Sequence, residues 1–323
     1  MSMTETTRES GELDLVSCGY PLETGPDSFG FLRPSGDRIG DAEALQARLA
    51  EDGYLYLPGL LDREQVIAAR LKILESAHQE GLLDPAFPIE AGVLREGAGN
   101  PYFRPEYTQD NAALMGVLYD GALIALFERL FAAPVRHFDF TWLRTVGAGP
   151  GTEPHCDIVY MGRGTRQLLT AWTPLGDIPL TLGGLMILEN SHHQANAALA
   201  TYLQQDVDSY CANGPNAEKI RTGAFGWEHW DGTFSGWNGA IQRDPASLRQ
   251  RLGGRWLTAE EYRMGDVLIF TMATVHASLD NRTRSLRLSS DTRYQRADEP
   301  IDERWIGEHP IGHGVAGKRG KIC

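Results

Sequence analysis

The pattern of apolar and polar positions changes character once along the chain. As far as residue 131 it is helical. Asp41 to Asp52 carries an apolar stripe of Ala44, Leu45, Leu49 and Ala50, which predicts a short helix. The run GYLYLPGLL reads as a strand stopped at Pro58-Gly59, and Asp62 with Gln65 forms a capping box for a second helix. That helix has Val66, Ile67, Ala69, Leu71, Ile73 and Leu74 as its apolar positions and ends near Gly81. A loop rich in Gly and Pro follows, from Leu83 to Pro105. A third helix is predicted from about Asn111 to Phe131, with Leu114, Leu118, Leu123, Leu126, Phe127 and Leu130 at helical spacing.

After Pro134 the period becomes that of strands. HFDFTWLRTV, HCDIVYM, RQLLTAWTPL, GGLMILE, RWLTAEEY, DVLIF, TVHASL and SLRLSSDTRY follow in turn, bounded by Gly, Pro, Asn or Asp. Many short strands with frequent turn signals predict a sandwich or barrel. The chain therefore reads as mainly β with flanking N-terminal helices, a double-stranded β-helix (jelly-roll, cupin-like) barrel. Residues 1–40 read as a tail and irregular lead-in, and 41–323 as a single domain. Residues 192–253 interrupt the strand series. This insert holds Trp227, Trp230 and Trp237, with Tyr202, Tyr210 and Phe225, among many glycines. The C-terminal GEHPIGHGVAGKRGKIC reads as loop.

Composition narrows the function more than the fold. Hydrophobic residues make up 42% and charged residues 23% of 323, which excludes disorder, collagen and coiled coil as global descriptions. Thirty basic against 43 acidic residues give a net charge of −13, and no Lys/Arg cluster offers a nucleic acid a basic face. No apolar stretch is long enough for a membrane span, and the acidic N-terminus lacks the basic start and apolar core of a signal peptide. Cys18, Cys156, Cys211 and Cys323 lie far apart with no CxxC, so a reducing cytoplasm is the expected compartment.

The candidate chemistry lies in His-x-Asp pairs. Nine histidines at ordinary acid frequency give about one pair with either Asp or Glu by chance, and fewer of His-x-Asp. This chain has three: His137/Asp139, His155/Asp157 and His229/Asp231. On a strand the two side chains share a face. His155 follows the turn-rich loop GAGPGTEP and is expected to open the strand IVYM, at a strand mouth where a metal site can face solvent and where truncating Asp157 would leave the fold intact. His137 and Asp139 lie within the alternation HFDFTW and read as ordinary strand residues. His229 and Asp231 lie in the insert with no strand pattern around them. Two His and one carboxylate with open coordination positions make a facial iron site.

His276 is the candidate third ligand. If Asp280 and Thr283 closed a two-residue turn, His276 would lie opposite Arg287, and Ser278 opposite Ser285. A guanidinium fork and a hydroxyl beside a metal ligand would make a carboxylate site. Singly, each residue has an ordinary explanation, a core histidine or a surface arginine, and the alternation of Arg287 with Leu286 and Leu288 does not decide which face is inside. Asp291 and Arg293 share the parity of Arg287 and read as an ion pair or as pocket residues. His192 and His193 read as turn residues. His309 and His313 are four apart but among Gly and Pro, which argues against a helical metal pair.

Together these segments resemble the phytanoyl-CoA dioxygenase family of iron(II)/2-oxoglutarate oxygenases. DGYLYLPGLLDREQV resembles its N-terminal strand and helix, His155-Cys-Asp157 its HxD, and Tyr160 the aromatic that follows. LTAWTPLGD and GGLMILENSHH resemble its middle strands, His276 its distal histidine, and Arg287 its cosubstrate arginine. The resemblance covers roughly residues 41–191 and 260–296. It implies iron ligation by His155, Asp157 and His276. It also implies 2-oxoglutarate held by Arg287 with Ser278, with Trp172 lining that pocket and Arg144 pointing inward. Cys156 stands where the family often has Gln.

The implied reaction consumes O2 and 2-oxoglutarate, releases succinate and carbon dioxide, and hydroxylates an unactivated C–H of a small molecule. A retained Asp157 favours hydroxylation over halogenation and leaves desaturation or cyclisation open. Tyr160, Trp227, Trp230, Trp237 and Asp291 are the candidate substrate residues, with the insert as a lid or as a satellite core. A homo-oligomer is left open. The competing readings are a cupin-like metal enzyme that does not use 2-oxoglutarate and a non-catalytic β-sandwich binding module.

Overall fold

The computed structural model describes residues 13–193, 198–209 and 238–313. Eleven strands form its two principal sheets. They are β1 (Phe29–Phe31), β2 (Tyr54–Leu57), β3 (Tyr102–Phe103), β4 (Val135–His137), β5 (Trp142–Val146), β6 (Leu169–Pro174), β7 (Leu185–Leu188), β8 (Trp256–Thr258), β9 (Val267–Thr271), β10 (His276–Ser278) and β11 (Arg287–Arg296). The small sheet has the order β10-β7-β8-β1. The large sheet runs β2-β9-β6-β11-β5-β3, with β4 also on β11. This is the jelly-roll expected from the strand pattern, and β1 shows that the lead-in before residue 41 contributes a strand to it.

Side-chain parity decides what faces where. Leu55, Leu57, Leu143, Leu169, Ala171, Val267, Ile269, Leu288 and Tyr294 form one apolar cluster with residues of the N-terminal helices. Residues of the opposite parity, Tyr54, Tyr56, Trp172, Leu268 and Phe270, pack with Leu185, Ile187 and Leu257 of the small sheet. Because side chains alternate along a strand, Thr170 on β6 and Arg287, Ser289, Asp291 and Arg293 on β11 face the space between the sheets. The leucines flanking Arg287 supply the helix-facing layer.

The helices are α1 (Ala42–Asp52), α2 (Arg63–Gln79), α3 (Ala112–Tyr119), α4 (Gly121–Phe131), α5 (Ile158–Met161) and α6 (Pro245–Leu252, within the insert). Asp41 and Asp62 cap α1 and α2 by accepting from backbone N–H groups one turn in. The predicted third helix is two helices. Asp120 takes an extended backbone and caps Gly121, whose φ of 59° ends the helical run. Among the described residues no helix is long and apolar enough to cross a membrane. Cys18 and Cys156 are free and buried; Cys211 and Cys323 lie outside the described residues.

Two local expectations are corrected. IVYM is not a strand: it is the helical turn α5, with Asp157 as the residue before it. The hairpin joining His276 to Arg287 does not form. His276 pairs with Ile187 and Ser278 with Leu185 in the small sheet, whereas Arg287 pairs with Val146 in the large one. Asn281 is the physical reason. Its side chain donates to the Val146 and Ser285 carbonyls and accepts from Thr283, holding a wide turn that carries the chain between the sheets.

Candidate active site

His155 and His276 are brought together by backbone. Each N–H donates to the other's carbonyl at 3.0 Å, an isolated antiparallel bridge that sets the rings 4.1 Å apart. The loop before His155 allows this because Gly151 has no side chain: a Cβ there would stand 2.0 Å from the Ser278 carbonyl oxygen. Asp157 then turns in at the start of α5. The three side chains offer ligand atoms that all lie within 4.8 Å of one another.

The donor set suits a divalent transition metal. His155 Nδ1 lies 2.7 Å from the Glu153 carbonyl and His276 Nδ1 lies 3.1 Å from the Thr274 carbonyl. A carbonyl only accepts, so both Nδ1 atoms carry the proton and both Nε2 lone pairs are free for a metal. Burial, with His276 beside it, pushes His155 down to about 3, and burial lowers His276 too. Both rings are neutral near pH 7. Burial works against the Asp157 charge, yet Arg293 first, then the two histidines and Thr170, hold the carboxyl well below its usual range.

Arg293 is the residue that the sequence reading left between two roles. The Asp291 carboxylate is not its partner. Arg144 Nε donates to Asp291 Oδ2 at 2.9 Å, while Arg293 Nη2 donates to Asp157 Oδ2 at 3.1 Å. Thr170, whose role went unrecognised, donates its hydroxyl to the same oxygen. Asp157 Oδ1 is left facing His276 Nε2 at 3.8 Å. Parity along β11 could have flagged Arg293; nothing local marks Thr170.

Arg287 is buried and has no ion pair or hydrogen bond among the described residues. Burial pushes its guanidinium down to about 10, so it stays charged at neutral pH. Ser278 Oγ accepts from Thr152 N at 2.8 Å, which leaves its own proton to give. Trp172 lies in the aromatic layer between the sheets, its ring 4.7 Å from Tyr262, and opposes Asp291 in register.

A cavity of about 720 Å³ opens beside His155 and Asp157. Phe103, Trp142, Tyr160 and Met161 supply its apolar wall, and the half-buried Arg144 and the buried Arg293 its inner cations. The segments framing the insert converge here: Tyr160 Oη donates to the Asn238 carbonyl, and Tyr202 Oη donates to Gly239 O while accepting from Cys156 N. His313, from the C-terminal segment, also lines the cavity and lies 3.1 Å from Asp208. His137 and Asp139 are not among the cavity-lining residues, and the His137 ring packs tilted against Tyr119. His192 lies in a turn against the Ala50 carbonyl. Trp227, Trp230, Trp237, His229 and Asp231 lie outside the described residues.

A two-sheet β-helix with two histidines and one carboxylate clustered beside a cavity defines the class of iron(II)/2-oxoglutarate-dependent oxygenases, and this chain is one. The phytanoyl-CoA dioxygenase (PhyH) model matches residues 49–289, so the chain belongs to that family. It is 26% identical over 274 residues to the 1-deoxypentalenic acid 11-beta-hydroxylase of Streptomyces exfoliatus, covering 80% of this chain and 83% of that protein. The Streptomyces arenae enzyme of the same name is 25% identical over 286 residues, covering 84% and 87%. Among solved structures, the epimerase SnoN of nogalamycin biosynthesis superposes with a TM-score of 0.53 at 22% identity, over 85% of this chain and 94% of its own. EctD from S. alaskensis gives 0.52 at 16%, over 96% of each. At these identities the structural likenesses speak for the fold.

Proposed function

We propose that His155, Asp157 and His276 ligate one iron(II) ion, and that the enzyme hydroxylates an unactivated C–H of a small, largely apolar molecule. The observation that carries this reading is the donor set itself: two neutral imidazoles with tied Nδ1 atoms and one ionised carboxylate, at the edge of an aromatic-walled cavity. The names of the Streptomyces relatives, hydroxylases of a small organic acid, support both the reaction and the size class of the substrate.

Iron and 2-oxoglutarate supply the oxidising chemistry when bound, with O2 consumed and succinate and carbon dioxide released. The chain binds, orients and shields. Arg287 would pair with the distal carboxylate of 2-oxoglutarate, and the Ser278 hydroxyl would donate to it. Arg144 is already neutralised by Asp291, so it walls the site without competing for the cosubstrate charge. Trp172 backs the same interior layer. The test is succinate release from 2-oxoglutarate with iron and ascorbate. Release that does not depend on iron would sink this reading, and so would none at all.

The insert, residues 192–253, would form part of the substrate pocket. Asn238, Ala240 and Arg243 line the cavity, and hydrogen bonds fasten the insert on either side of Asp157, Tyr202 to Cys156 before it and Asn238 to Tyr160 after it. Tyr160→Phe removes one such bond, worth about 0.5–1.5 kcal/mol. It is expected to lower product formed per succinate while 2-oxoglutarate is still consumed. Trp227→Ala, Trp230→Ala and Trp237→Ala, made singly, are expected to do the same. If all four variants keep the wild-type ratio, the insert is a structural element and specificity lies elsewhere in the barrel.

A further inference from the structure

Among the described residues the Asp157 carboxylate is held by one oxygen only, and this bears on how many iron positions remain open. Arg293 Nη2 and the Thr170 hydroxyl both donate to Asp157 Oδ2, while Oδ1 faces His276 Nε2. Arg293 is itself fixed: its Nη1 donates to the Asp291 carbonyl at 3.1 Å, and its Cζ stands 4.3 Å over the Trp142 ring. Resting on the ligand assignment above, we propose that Arg293 and Thr170 are positioning residues that clamp Oδ2. Asp157 then binds iron through Oδ1 alone, and room remains for both the cosubstrate and oxygen.

Stability gives little reason for the arrangement. Both charged side chains are 3% exposed, and the desolvation of a buried pair offsets much of its attraction. Arg293 Nε is also buried with no hydrogen-bond partner among the described residues, a loss of about 1–3 kcal/mol. Coordination gives a reason. Carboxylates bind metals through one oxygen or both. A two-oxygen Asp157 would fill one of the positions that a facial site with open coordination must keep free for a two-point keto acid and oxygen. With Oδ2 occupied by two donors, the second attachment is blocked.

The test uses the full-length protein loaded with cobalt(II), whose visible absorption reports coordination number. Thr170→Val and Arg293→Met each release Oδ2, and Thr170→Ser restores the hydroxyl. For Thr170→Val and Arg293→Met the expected result is retained cobalt affinity, an altered cobalt spectrum, and 2-oxoglutarate affinity lowered by about 10-fold or more. Thr170→Ser should match the wild type. A parallel loss of cobalt affinity would mean ordinary support of Asp157 and would overturn the clamp, as would unchanged spectra and cosubstrate binding. Circular dichroism checks folding; if Arg293→Met does not fold, Thr170→Val decides, because it keeps the ion pair. Asp157→Ala in the same assay separates the two levels. If it binds cobalt like the wild type, the ligand assignment fails and the clamp with it. If it loses cobalt while Thr170→Val behaves as wild type, only the clamp fails.

Discussion

Asp157→Ala is expected to abolish iron-dependent succinate production and to weaken the fold as well. The first effect follows from losing the anionic ligand. The second follows from burial, and it corrects the expectation that a strand-mouth position makes truncation harmless. Asp157 is 2% exposed and pairs with an equally buried Arg293. Removing one partner of a buried pair leaves an uncompensated charge, at a cost of about 3–5 kcal/mol. Asp157→Asn separates the effects: the amide oxygen can still accept from Arg293 and Thr170, so much more of the stability should remain while turnover is lost. Denaturant unfolding and succinate release measure the two. Near-normal succinate from Asp157→Asn would show that Asp157 is not a ligand. His137→Ala, at a ring that packs against Tyr119 and does not line the cavity, should keep both iron and turnover.

Arg287→Leu is expected to raise the 2-oxoglutarate requirement steeply while iron binding survives. Removing one partner of a buried, charge-assisted contact costs about 2–5 kcal/mol, or roughly 30- to several-thousand-fold in affinity. Here the folded protein itself has little to lose. Arg287 has no acid partner among the described residues and burial already disfavours its charge, so leucine in its place should leave stability unchanged or raised. Titration of 2-oxoglutarate beside thermal unfolding distinguishes this from damage. Loss of iron and cosubstrate together, with a lowered Tm, would make Arg287 a structural residue.

The elements of the fold were legible where one local rule ruled alone. The strands Leu169–Pro174, Leu185–Leu188 and Val267–Thr271 are apolar over most of their length, and α1 and α2 begin at capping aspartates. Reading failed where contacts outside the local pattern decided the backbone. IVYM has a strand's composition, yet Asp157 begins a helical turn there. The turn after β10 has two polar residues in a hairpin's place, yet Asn281 spends its amide on the carbonyls of Val146 and Ser285. Residue type and order picked out the three side chains that the fold clusters, His155, Asp157 and His276, even though the hairpin drawn to join His276 to Arg287 does not form.

By itself the sequence determined the β-rich barrel, the candidate ligands His155, Asp157 and His276, and the family, because residue types, their order and their local periods are properties of a chain. Which charge meets which was decided only by tertiary structure. Arg144 with Asp291 and Arg293 with Asp157 are pairs 147 and 136 residues apart, selected by the register of β11 against β5 and by the turn that carries Asp157 inward. Strand register is set by how two sheets and a helical layer share one core, and no window of sequence contains that sum.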